Sequence, residues 1–232
     1  MAINSFKFAG LYSPTPALYA DFSETPTGTF ADAGVNYKYI TYNSSGTLTI
    51  TNEGSIDCCL VAGGGGAHYI GWNRPLAAAG GGGGFIRQTF FITAGTYTIT
   101  IGAGGAGASN GGTTSLGTLL KIGGGQRGYA IGVNATNSGY GGGGSAGGST
   151  VDANGGGYLY SDGGGAGGLV FGSANRDGRT DNLTNSVNTY GVGGLGSGTS
   201  AGAANTGNGG ESGSGSSRAG GSGVVIVRVR TN

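Results

Sequence analysis

The sequence predicts an all-β protein: an antiparallel β-sandwich combined with a glycine-rich, polyglycine II-like helix bundle, with no significant α-helix. Three observations lead there. Segments such as FIRQTFFITAGTYTITIG and GVVIVRVR carry strand signals, and no stretch shows a convincing helical period. Short clusters of turn residues separate these segments. Glycine supplies 59 of the 232 residues, and 54 of those lie after Ala62, where an average chain carries about 7 %.

The elements follow in order. Residues 1–36 are glycine-poor, hold Pro14, Pro16 and Pro26, and concentrate Phe6, Phe8, Tyr12, Tyr19, Phe22 and Phe30. Proline restricts both helix and sheet. The segment reads equally as an extended arm laid on a partner or as a strap packed on its own domain. On the first reading Phe6, Phe8, Tyr12, Tyr19 and Phe22 are the docking residues, and residues 37–232 form the domain. From Tyr37, YKYITY, a turn at Asn43–Gly46, TLTIT and SIDCCLVA read as antiparallel strands. GFIRQTFFI and TYTITIG, joined at Thr93–Gly95, read as a further hairpin. SLGTLLKIG follows in short pieces. The closing strand alternates Val225, Val227 and Val229 with Ile226, Arg228 and Arg230, apolar on one face and partly basic on the other. Cys58 and Cys59 are adjacent on one strand, so they face opposite sides and read as small buried hydrophobes rather than a metal pair.

Between these strands lie GGGQRG, GYGGGGSAGG, NGGG, DGGGAGG, GVGGLGSG, GNGG and GGSG. They lack the strict Gly-X-Y period of collagen and the charge or proline of disordered tails. Glycine segments can adopt the polyproline II conformation, with three residues per turn and no internal hydrogen bonds. Without Cβ atoms, such helices can pack closely and bond to one another, which satisfies backbone groups that burial would otherwise leave unpaired. The expectation is a core made of backbone, in which replacing Gly142 or Gly164 by Val unfolds the bundle.

Composition narrows the function. Eleven basic against ten acidic residues give a net charge of +1, and no basic stripe suggests nucleic acid. No segment nears the ~20 apolar residues that span a bilayer. The N-terminal residues show no apolar secretory core, so we expect folding in a cytosol and read the three N-x-S/T sites as chance. Gly102–Gly107 fits G-x-G-x-x-G, but no helix follows and Lys121 stands where an acid would be wanted, so no dinucleotide site or other cofactor is expected. His68 is the lone histidine, without a nucleophile elbow, and an enzyme is not expected. Asp177 and Asp181, in NRDGRTDN, read as a polar turn with local ion pairs before they read as a calcium site. The segments interrupting the glycine runs concentrate aromatics among Asn and Arg. Tyr69, Trp72, Tyr140, Tyr158, Tyr160 and Tyr190 are therefore candidate receptor contacts, and packing against the glycine core or a neighbouring subunit is the competing reading.

SIDCCLVAGGGG, AAAGGGGGFIRQTFFITAGTYTITIGAGGAG, SNGGTTSLGTLLKIGGG and GGSGVVIVRV together resemble the glycine-rich domain common in bacteriophage tail and fibre proteins. The resemblance covers about Tyr37 to Arg230 and is most specific at the hairpin and the closing strand. A related arrangement occurs in phage fibre-tip adhesins, where polyglycine II helices carry variable segments that bind bacterial surfaces. The resemblance implies a virion protein assembled in the host cytoplasm. Its expected partners are other virion proteins, a bacterial surface glycan or outer-membrane protein, and further copies of itself, a trimer by analogy. A tail-fibre or tail-tip component leads. A capsid decoration or head-fibre protein is the alternative, and an ice-binding protein ranks below both.

Overall fold

A computed structural model describes residues 19–70, 76–128, 159–161, 177–196, 198–212 and 216–231. The strands are β1 (Asp21–Phe22), β2 (Gly28–Asp32), β3 (Val35–Tyr42), β4 (Gly46–Asn52), β5 (Gly54–Val61), β6 (His68–Ile70), β7 (Leu76–Ala78), β8 (Phe85–Ile92), β9 (Gly95–Thr100), β10 (Thr114–Leu116), β11 (Leu120–Ile122), β12 (Leu159–Ser161), β13 (Arg179–Asp181), β14 (Asn188–Tyr190) and β15 (Val224–Thr231). Two five-stranded antiparallel sheets, ordered β1-β4-β9-β10-β11 and β2-β3-β15-β5-β8, form the sandwich. The fold is all-β, with no helix among the described residues.

The core follows from alternation. Val225, Val227 and Val229 of β15 and Ile56, Cys58 and Leu60 of β5 point inward. They meet Leu48 and Ile50 of β4, Ile99 of β9, Leu116 of β10 and Ile122 of β11 from the facing sheet. The period of two sends Cys59, Val61, Val224 and Ile226 to the outer face, where Leu183, Tyr190 and the half-buried Phe85 cover them. Cys58 and Cys59 are thus buried on opposite faces as free thiols, the small-hydrophobe role their adjacency suggests.

The hairpin expected at Thr93–Gly95 is not one. β8 pairs with β5, whereas β9 pairs with β4 and β10 in the other sheet. The short links between β3 and β4 and between β4 and β5 likewise cross from sheet to sheet. Alternation dictates which residues face the core. It does not say whether two strands joined by a tight turn pair edge to edge or face each other across that core. True hairpins form elsewhere, including β2–β3, where Ala33 and Gly34 take φ of 47° and 79°, the doubly positive geometry of a tight two-residue turn.

That hairpin decides how residues 19–36 are used. β2 pairs along β3, Tyr19 bridges Ser55, and Phe22 is 2 % exposed in the main core. Lys38 ion-pairs with Asp21 and lies 4.3 Å over the Phe22 ring. This part of the chain is a strap on its own domain, and Phe22 belongs to the core rather than to a docking surface. The domain accordingly starts upstream of the Tyr37 boundary read from composition.

Several strands run straight into glycine segments. Residues 62–67 follow β5, 79–84 lead into β8, 101–108 follow β9, 123–128 follow β11, and 218–223 lead into β15. The hydrogen bonds of 62–67 define the geometry. Ala62 and Gly65 donate to Gly84 and Gly81, Gly63 and Gly66 to Gly112 and Ser109, and Gly64 and Ala67 to Gly221 and Arg218, all at 2.7–3.0 Å. Every third residue therefore returns to the same neighbour, as three residues per turn requires. The carbonyls of this segment accept from Gly105 and Ala108, from Gly125 and Gly128, and from Gly210. Six segments thus enclose one central polyglycine II-type helix. A Cβ on Gly63, Gly64, Gly65 or Gly66 would overlap the backbone of Ala103, Asn208, Gln126 or Ala106.

The Val substitutions foreseen at Gly142 and Gly164 fall outside the described residues, but the same logic applies to the central helix. Gly65→Ala should lose ~3 kcal/mol or more, because carbonyl oxygens of the bundle must be pushed apart. Gly46→Ala, whose Cβ meets only Tyr42 at 3.6 Å, should shift stability by less than about 1 kcal/mol. Urea unfolding of both variants checks this.

Burial pushes both cysteine thiols well above their usual range, with neighbouring carboxylates adding to the effect. A thiol whose folded-state pKa is raised holds its proton after the unfolded chain has lost it. Its stabilisation is therefore complete at low pH and declines as pH rises past the unfolded value, about 8.5. Urea midpoints measured across the pH range should fall from there upward, and Cys58→Ala with Cys59→Ala should flatten the first part of that decline.

Candidate recognition surface at the bundle tip

Each described glycine segment has one end at the sandwich and one end away from it. At the far end lie residues 67–70 and 76–79, the turn at 107–110, residues 195–196 and 198–200, residues 210–212 and 216–218, and residue 128. Backbone bonds fix this end. Ser109 donates to Ala106, and Ala108 to Ala67. Glu211 and Ser200 exchange bonds, Ser200 N donating to the Glu211 carboxylate at 2.8 Å and Glu211 N to the Ser200 carbonyl at 3.0 Å. Arg127 N donates to Asn110 Oδ1 at 2.9 Å.

A small sheet ordered β12-β7-β6 sits there. Tyr69 and Tyr160 are both in register with Ala77, so two of the expected receptor contacts share one cross-strand row. The outer edge of β6 is closed by Tyr69 N donating to Ser217 Oγ at 3.0 Å. Ser217 and Asn110 were not singled out in the sequence, because serine and asparagine within glycine-rich stretches carry no signal until the fold brings them to one end. Trp72, Tyr140 and Tyr158 lie outside the described residues.

Tyr190 is placed differently. It is 7 % exposed, lies 6.4 Å from Phe85 in a stacked pair, and belongs to the outer-face cluster with Leu183 and Cys59. Burial, then Cys59, then Asp181 push its phenol up to about 12. It anchors the β13–β14 hairpin to the sandwich and is not a surface contact. Asp181 reinforces this anchor. It is buried, lies 3.3 Å from Arg87 Nε on β8, and accepts the Leu183 N–H at 2.9 Å. Its ion pair therefore reaches a distant strand, whereas its turn-like sequence suggested a local one. No group of three or more His, Cys, Asp or Glu able to hold a metal occurs among the described residues.

The opposite pole holds Tyr19 and the C-terminal end of β15. Tyr19 Oη accepts from Arg230 Nη1 at 2.6 Å, and the guanidinium carbon lies 4.7 Å from the ring centroid. Arg228 covers Tyr37 at 4.5 Å, and Phe30 stacks on Tyr37 at 5.3 Å. Tyr19 thus lies on an aromatic-arginine row of the outer sheet face. Phe6, Phe8 and Tyr12 lie outside the described residues.

Gly102–Gly107, the dinucleotide-like run, is part of the bundle. Gly105 donates to Gly64, and its carbonyl accepts from Gly220. A family profile described as a glycine-rich domain matches residues 41–230. The chain belongs to this glycine-rich domain family. The matched span takes in most of both sheets and every described bundle segment, and leaves out β1, β2 and all but the last two residues of β3. No curated protein matches the chain.

Replacing Tyr190 by Ala should cost about 3 kcal/mol through the cavity it leaves and should leave surface binding by the folded protein unchanged. Thermal unfolding and a binding assay on the same samples separate the two effects.

Proposed function

We propose that this chain is a non-enzymatic structural protein of a bacteriophage virion, a tail-fibre or tail-tip component that presents loops to the host surface. The observation that carries the reading is polarity. Several of the turns that interrupt the described glycine runs gather at one end of a backbone-bonded bundle, and Tyr19, bridged to Ser55 at the start of β5, lies at the other. A partner in the virion would hold the sandwich end, leaving the tip free. The likeness of the glycine runs and closing strand to the glycine-rich domains of tail proteins supports the same reading.

The mechanism is rigid presentation. Tip segments can change in length and sequence without disturbing a scaffold held by main-chain bonds, and a preorganised scaffold lowers the ordering cost of binding. The receptor is a surface glycan or an outer-membrane protein, engaged by aromatic residues among polar neighbours. Several copies on one particle strengthen weak contacts through effective concentration.

Labelled antibody against the chain, imaged on intact particles, should mark the tail tip and block adsorption. Labelling confined to the head shell would move the chain to capsid decoration. Tyr69→Ala should weaken adsorption about tenfold, the scale of losing one interface aromatic, with the unfolding midpoint unchanged.

A further inference from the structure

We propose that β8 is a self-association strand, through which two copies pair antiparallel, edge to edge, about Gln88. β8 is an edge strand of eight residues. Its backbone N–H and C=O groups that point away from β5 find no partner among the described residues. A long unguarded edge is a template for another strand, and soluble proteins ordinarily blunt such edges. The other edges of the sandwich are blunt, since β1 has two residues, β11 has three, and β2 has five with Pro26 just before it. β8 contains no proline or glycine. Its single charge, Arg87, is drawn to Asp181, and Phe91 is 55 % exposed.

The strand chemistry selects a second copy as the occupant. FIRQTFF is close to palindromic in character about Gln88. A twofold axis there sets Phe85 against Phe91 and Arg87 against Thr89 on the outer face, and Ile86 against Phe90 on the inner one. Like charges never face each other. Arg87 instead meets a threonine that is hydrogen-bonded to Asp57. Such an interface is isologous and closes at two copies, giving one continuous sheet across the pair. This departs from the threefold arrangement expected by analogy.

Sedimentation velocity of the full chain over a dilution series should show a reversible dimer. Gln88→Lys and Gln88→Glu each place like charges opposite at the axis, where they destabilise pairing. Each variant alone should dissociate at concentrations at least ~10-fold higher than wild type, and an equimolar mixture of the two should recover the dimer. Because Gln88 is exposed, unfolding midpoints should not move. Gln88→Cys should also form an intermolecular disulfide on mild oxidation, since Cys58 and Cys59 are buried. A wild-type chain that stays monomeric, a trimer, or a dimer unmoved by Gln88→Lys would overturn the proposal.

Discussion

The rest of the structure depends on one constraint, the reciprocal hydrogen bonding of backbones that approach too closely for any Cβ. In an ordinary domain the interior is made of side chains, and glycine weakens it. Here residues 62–67 are buried through their main chain, donating to three segments and accepting from three others. Burial of so many amides is tolerable because they are paired. The geometry also explains the composition, since a glycine is required wherever a neighbouring carbonyl occupies the place of a side chain.

The sandwich and the bundle are two ways of spending the same strands. β5 packs Ile56, Cys58 and Leu60 into a side-chain core and then continues as the central glycine helix. β8 and β15 are reached from glycine segments in the reverse direction. The register of the sheets therefore fixes where each glycine segment begins, and the bundle inherits its alignment from the sandwich. The β13–β14 hairpin closes the remaining apolar patch with Leu183 and Tyr190.

Much of this was legible in the sequence where periodicity controls structure. The alternation of β15 announced its inner valines, and the adjacency of Cys58 and Cys59 announced opposite faces. The three-residue geometry of the glycine runs followed from the absence of side chains. Long-range partnership was not legible. Thr93–Gly95 reads as a hairpin turn whether its strands pair or face each other. Asp32–Val35 carries a weak turn signal inside a segment set apart by composition, which hid β2 and made Phe22 look available for docking. Tyr190 follows polar residues and precedes glycine, a surface-like context, and only the fold brings Phe85 and Cys59 to it. Asp181 found Arg87 on a distant strand for the same reason.

The most direct measurement is residue-resolved amide hydrogen exchange of the glycines. If the bundle is a core built of backbone, the amides of Gly64, Gly65, Gly81 and Gly125 are among the slowest in the protein. They exchange only with global unfolding, together with the amides of β5 and β15. Exchange of these glycines at the rate of open loops, while β5 and β15 stay protected, would contradict the account.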